Sequence, residues 1–163
     1  MFMKKIKNNN KAGSPINFFV VIMLSMTLIL MLLDIINYSR AKSVLTSETE
    51  YLASVVSFQG GLRNSSPYGW TDIYSVSYIP FGNAKSYFST ALNKTAITKP
   101  KIRLGGTELT RAFTLSYKQT STFSGEGEYT LNYLKVAGFD KKKVILKHDV
   151  PVCGFWIYRN TQL

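Results

Sequence analysis

The sequence predicts an α+β protein: a long N-terminal helix, apolar in its first half and amphipathic in its second, packed on a small antiparallel β-rich domain. Three observations support this. No charged residue occurs from Ala12 to Leu33, and Phe18–Leu33 is apolar except for Ser25 and Thr27. Beyond Tyr38, apolar residues recur at helical spacing as far as Gly60-Gly61. The last third alternates apolar and polar residues between Gly-containing turns, the pattern of half-buried strands.

Residues 1–13 form a basic leader, with Lys4, Lys5, Lys7 and Lys11 and no acid. Ser14 reads as a helix N-cap and Pro15 as the first helical residue, where a missing N–H costs nothing. A transmembrane helix is expected over 14–38. From Ile16 to Tyr38 it would measure about 34 Å at about 1.5 Å per residue, enough for a hydrocarbon core of about 30 Å. Four lysines stand before the apolar run, whereas Asp34, Arg40, Lys42, Glu48 and Glu50 nearly cancel after it. The positive-inside rule then puts the N-terminus in the cytoplasm and the C-terminal bulk outside a single-pass cell-membrane protein. The run is longer than a secretory h-region and Asn37-Tyr38-Ser39-Arg40 offers no small-residue cleavage site, so a retained signal-anchor is the expectation. Ser25 and Thr27 are the candidates for helix packing within the membrane.

The helix is expected to continue over 39–60, with Ala41, Val44, Leu45, Leu52, Val55 and Val56 on one side, beside Tyr51, and to end at Gly60-Gly61. Its apolar stripe needs a partner surface, which the 61–163 domain could supply. Within that domain a short strand is expected in Trp70–Ile79 and a helix over 84–96, with Ala84, Tyr87, Phe88, Ala91, Leu92 and Ala96 on one side. Strands are expected over Thr98–Leu104, Thr110–Thr120, Tyr129–Val136, Lys143–Asp149 and Val152–Arg159, the last two broken by Pro151. Turns are expected at Gly105-Gly106, Ser124–Gly127 and Gly138–Lys142, giving a meander.

No catalytic constellation emerges. His148 is the one histidine, and nothing near it resembles a nucleophile elbow. Cys153, the one cysteine, reads as a small core residue in the last strand, and with His148 it supplies two metal ligands where zinc wants three or four. Neither enzyme activity nor a cofactor is expected. The net charge is +11, and from Ser39 onward sixteen Lys/Arg face eight Asp/Glu. Lys141, Lys142 and Lys143, with Lys147 nearby, form the densest basic run. It reads either as a solvated turn or as a contact for anionic wall polymer, phospholipid headgroups or DNA.

Gly13-Ser14-Pro15-Ile16-Asn17-Phe18-Phe19, Ala41–Ser57, Lys101–Gly106, Phe113–Tyr117 and Val150–Arg159 together give the chain a layout that resembles type IV pilin-like proteins. It is most similar to the small TadE-like pseudopilins, in a Gram-positive branch often encoded with conjugative-transfer genes. The resemblance implies a non-enzymatic component of a pilus, secretion or conjugative-transfer apparatus, with other pilin-like subunits as partners. It also implies a prepilin-peptidase cut after Gly13, leaving Ser14 first. Pilins place Glu five residues after the cut. Here that residue is Phe18, and the nearest polar residue, Asn17, lacks the charge, which points to a minor, priming or merely anchored role. The alternative reading is a membrane-anchored extracellular binding module with a basic face.

Overall fold

The computed structural model describes residues 13–66, 77–131 and 143–155. It opens with one uninterrupted helix, α1 (Gly13–Gln59), of 47 residues. No Gly or Pro occurs from Ile16 to Gln59, so nothing interrupts the i→i−4 hydrogen-bond ladder. The helix stops where expected. Gly60 takes the left-handed conformation, with φ of 65°, and its N–H donates to the Ser57 carbonyl at 3.4 Å.

Among the described residues the remaining elements are β1 (Gly61–Leu62), α2 (Phe81–Asn93), β2 (Ile97–Leu104), β3 (Thr107–Glu108), β4 (Phe113–Thr114), β5 (Thr120–Thr130) and β6 (Lys143–Cys153). Four strands form one antiparallel sheet in the order β3-β2-β5-β6, and β1 pairs separately with β4. The arrangement differs from a simple meander, because β2 passes over β4 to pair with β5. The C-terminal half of α1 and the whole of α2 lie on one face of the larger sheet. Leu45, Leu52 and Val56 from α1 meet Phe88 and Leu92 from α2 above Ile97, Ile102, Phe123, Tyr129, Leu146 and Val152. The amphipathic extension is thus part of the domain core, with the sheet as the partner surface its stripe requires.

Three strand expectations are corrected. Ser124-Gly125-Glu126-Gly127 is no turn: it lies in the middle of β5, an inner strand, paired with β6 throughout and with β2 over Ser124–Glu126. The glycines are there for close approach. A Cβ at Gly125 would collide with the Thr49 hydroxyl of α1 and come within 2.9 Å of the Phe88 ring, and one at Gly127 would strike Ile97. Thr110–Thr120 is not one strand either, since only Phe113–Thr114 pair before the chain turns at Lys118, with φ of 62°. Lys143–Cys153 is continuous through Pro151, which stands opposite Thr122. Proline is tolerated because, among the described residues, β6 is an edge strand. Pro100 lies at a second irregularity, a register shift between Thr98 and Lys101, beside Lys99 at φ of 51°.

The expected helix at 84–96 is α2. Ala84, Phe88 and Leu92 face the core as expected, whereas Tyr87 is exposed, and the helix ends at Asn93, which leaves Ala96 exposed beyond it with φ of 59°. Most of Trp70–Ile79, residues 132–136 of the strand expected from Tyr129, and the Gly138–Lys142 turn lie outside the described residues, as does the end of the strand expected to Arg159. Ser77–Ile79 form no strand. They are tied down instead by side chains. The Tyr78 hydroxyl accepts from the Arg63 N–H at 2.9 Å. The Gln59 amide, with its oxygen turned toward the Ile79 N–H, accepts there at 2.8 Å and donates to the Ile79 carbonyl at 3.2 Å.

Candidate functional site

Two surfaces are candidates: the bare half of α1, and the ring of residues where that half meets the domain. From Ile16 to Leu33 almost every side chain of α1 is exposed, Phe18, Phe19, Met23 and Leu24 each by 60% or more. This is one helix long and apolar enough to cross a membrane, compatible with membrane anchoring. The Ser25 and Thr27 hydroxyls donate back to the Val21 and Met23 carbonyls, both at 2.8 Å. Their donors are therefore satisfied inside the helix, leaving small side chains and free lone pairs on its surface. Gly13 and Ser14 are the first two residues of α1, and Asn17 lies exposed on its second turn.

The buried stripe of α1 starts directly after the apolar run, at Asp34, and continues through Tyr38, Ala41, Leu45, Thr49, Leu52 and Val56. Asp34 is only 4% exposed. Tyr38 stands edge-on to Tyr129 of β5, with ring centroids 5.8 Å apart. Burial, together with the nearby Asp34 charge, pushes the Tyr129 phenol above its ordinary pKa. The strands fix the level of this junction. β6 runs alongside α1 in the same sense, from Val144 near Tyr38 to Cys153, whose N–H donates to the Ser57 hydroxyl at 3.3 Å. α2 runs the opposite way and ends beside Arg40.

Three recesses open at the junction among the described residues. One, of about 220 Å³, is lined by Asn37, Arg40, Lys94, Thr95, Ala96 and Tyr129. A second, of about 350 Å³, shares Arg40, Lys94 and Thr95 with it and adds Val44, Glu48 and Tyr87. A third, of about 290 Å³, is mostly apolar and lined by Asp34, Ile35, Tyr38, Leu131 and Val144. In the sequence Asp34 and Arg40 are only charges that follow the apolar run. The signal that could have found this junction is the i, i+4 step from Asp34 to Tyr38, which extends the amphipathic stripe backwards by one turn.

The outer face of the sheet carries a mixed-charge ladder. Lys101, Glu126 and Lys147 face one another across β2, β5 and β6. Arg103 donates to Glu126 at 2.8 Å, and Lys99 and Lys143 hold Glu128 at 3.0 and 3.2 Å. Lys147 pairs with Asp149 at 2.9 Å, and Lys101 with Glu108 at 2.8 Å. Hydrogen bonds from Lys99 and Lys143 hold the Glu128 carboxyl below its ordinary pKa. Hydrogen bonds from Ser124 and then Lys147 do the same for Asp149. Of the basic run, Lys143 and Lys147 thus share their charge with carboxylates, and Lys141 and Lys142 lie outside the described residues.

His148 points to the helix side, its Nε2 3.3 Å from Glu50 Oε1. Cys153 is a free thiol, half-buried at the end of β6 rather than in the core. Among the described residues no group of three or more His, Cys, Asp or Glu could hold a metal ion. No protein-family model matches this chain, nor does any curated protein or solved structure.

Proposed function

We propose that the chain is a single-pass membrane protein that displays its sheet domain outside the cell and serves, without enzymatic activity, as a pilin-like subunit of an envelope assembly. One observation carries the reading: a single helix is bare and apolar over its first half and forms part of a folded domain over its second. An exposed apolar surface of that size must be covered, by lipid or by like helices. Lysines before the span and near-cancelling charges after it favour a cytoplasmic N-terminus. Phe18 in place of an acid favours a minor, priming or anchored subunit over a major one. The closest competitor, an anchored module gripping anionic polymer through a basic face, rests on the net charge, and the pairing of Lys143 and Lys147 with carboxylates weighs against it.

N-terminal sequencing of the protein from membranes and from sheared surface material tests the assignment. Ser14 as first residue in the sheared fraction would mean processing after Gly13 and entry into an assembly. Met1 retained in every fraction would remove the processed-subunit reading and leave an anchored accessory protein.

A further inference from the structure

Arg40 and Lys94 come from different elements, one on α1 and one just past the end of α2, yet they line the same recess. Neither takes part in an ion pair among the described residues, whereas Lys99, Lys101, Arg103, Lys143 and Lys147 are all held by carboxylates. Two cations without an ion-pair partner line one concavity with Asn37, and the Glu48 carboxylate shares the adjoining recess with both. Such a pair suits a phosphate: the guanidinium offers paired donors and the ammonium a point charge.

The level of the recess says which phosphate. The twenty-one residues Ile16–Ile36 span about 31 Å at about 1.5 Å each, the thickness of a bilayer hydrocarbon core. Arg40 lies four residues further, about 6 Å beyond that core, in the headgroup layer. The Tyr38–Tyr129 ring pair sits at the same level, where amphipathic rings favour the membrane interface. On the opposite flank of α1 the apolar recess, lined by Asp34, Ile35, Tyr38, Leu131 and Val144, gives the domain an apolar lip at a similar level. A cationic cleft at the end of a span, level with an aromatic pair, matches the anionic head of a membrane lipid.

We infer that the Arg40–Lys94 recess binds the phosphate of an anionic phospholipid in the leaflet facing the domain. The inference rests on the membrane-spanning reading of α1. Lipid bound there clamps the sheet domain at a fixed height and rotation on the membrane.

The test reconstitutes the full chain into nanodiscs of phosphatidylcholine alone and of equal parts phosphatidylcholine and phosphatidylglycerol. Spin-labelled phosphatidylglycerol and phosphatidylcholine then report the motionally restricted fraction. Wild type should restrict phosphatidylglycerol in preference to phosphatidylcholine, and each neutralised cation should lower that preference by about five-fold. The double variant Arg40→Gln with Lys94→Gln should lose it, the charge-keeping pair Arg40→Lys with Lys94→Arg should retain it, and Lys118→Gln, at the far end of the domain, should leave it unchanged. Equal preference in wild type and the double variant, with both inserted, would overturn the headgroup site alone. Failure of wild type to enter either nanodisc would overturn the span. Loss of the preference on adding free glycerol phosphate would reassign the recess to a soluble anion.

Discussion

Thr49 of α1 rests directly on Gly125 of β5. The Thr49 hydroxyl, turned back to donate to the Leu45 carbonyl at 2.6 Å, fills the place a Cβ at residue 125 would need, with the Phe88 ring closing the other side. Helix and sheet are in contact here at backbone distance. Gly125→Ala should therefore destabilise the domain by about 1–3 kcal/mol through overpacking. Thr49→Ala, which removes the hydroxyl, should recover part of the loss in the double variant. Urea unfolding of the full chain in detergent, followed by circular dichroism, measures both. Additive effects of the two changes would mean that the contact is not there.

Two glycines with positive φ give a matched comparison. Gly61 has φ of 120°, and a Cβ there would lie 2.5 Å from the Phe113 carbonyl oxygen, whereas Gly106 has φ of 83° and open space around it. Gly106→Ala should cost about 1 kcal/mol, from backbone strain alone. Gly61→Ala should cost clearly more, because it also forces β4 away from β1. Thermal melts ranking the two in the opposite order would contradict the β1–β4 pairing.

Stability should decline at both ends of the pH scale. Glu128 and Asp149 have pKa values depressed in the folded state, by hydrogen bonds from Lys99 and Lys143 and from Ser124 and Lys147. Their contribution is present above the ordinary carboxylate pKa and is lost as pH falls through the lowered folded values. Added salt should shrink it, since Asp149 and the lysine partners of the half-buried Glu128 are exposed. Tyr129 has a folded pKa raised by burial and by the Asp34 charge, so its contribution is full below the ordinary phenol value of 10.0 and lost as pH rises beyond it. Carboxyl NMR titration should give a Glu128 midpoint below that of an ordinary glutamate, and Lys143→Gln should move it up.

Membrane fractionation checks the bare half of α1. Leu24 and Leu28 are both 60% exposed on it. A lysine at either place would cost about 2.5–3.5 kcal/mol at the centre of a span. Leu24→Lys and Leu28→Lys should both reduce the membrane-bound fraction, and unchanged fractionation would remove the span assignment.

The helices were legible because their signals are local. Leu45, Leu52 and Val56 sit at a spacing that only a helix puts on one face, and Gly60-Gly61 marks its end. Strand β5 was misread for an equally physical reason. Ser-Gly-Glu-Gly-Glu has turn composition, and the need for Gly125 and Gly127 comes from Thr49, Phe88 and Ile97, residues remote in sequence. Pro151 misled in the same way, since its tolerance depends on β6 lying at a sheet edge. The junction at Asp34, Arg40, Lys94 and Tyr129 depends on α2 and β6 running in opposite senses beside α1, which no single segment encodes.

Because α1 passes from its bare half into the domain core without a break, the domain is geared to the span rather than tethered to it. Adding one residue between Ile36 and Tyr38 would turn the whole sheet by about 100° around the helix axis, and adding about seven would restore its heading. Any partner that docks on one side of the sheet while its helix packs against α1 would respond to such insertions in phase with the helical repeat, not in proportion to their length.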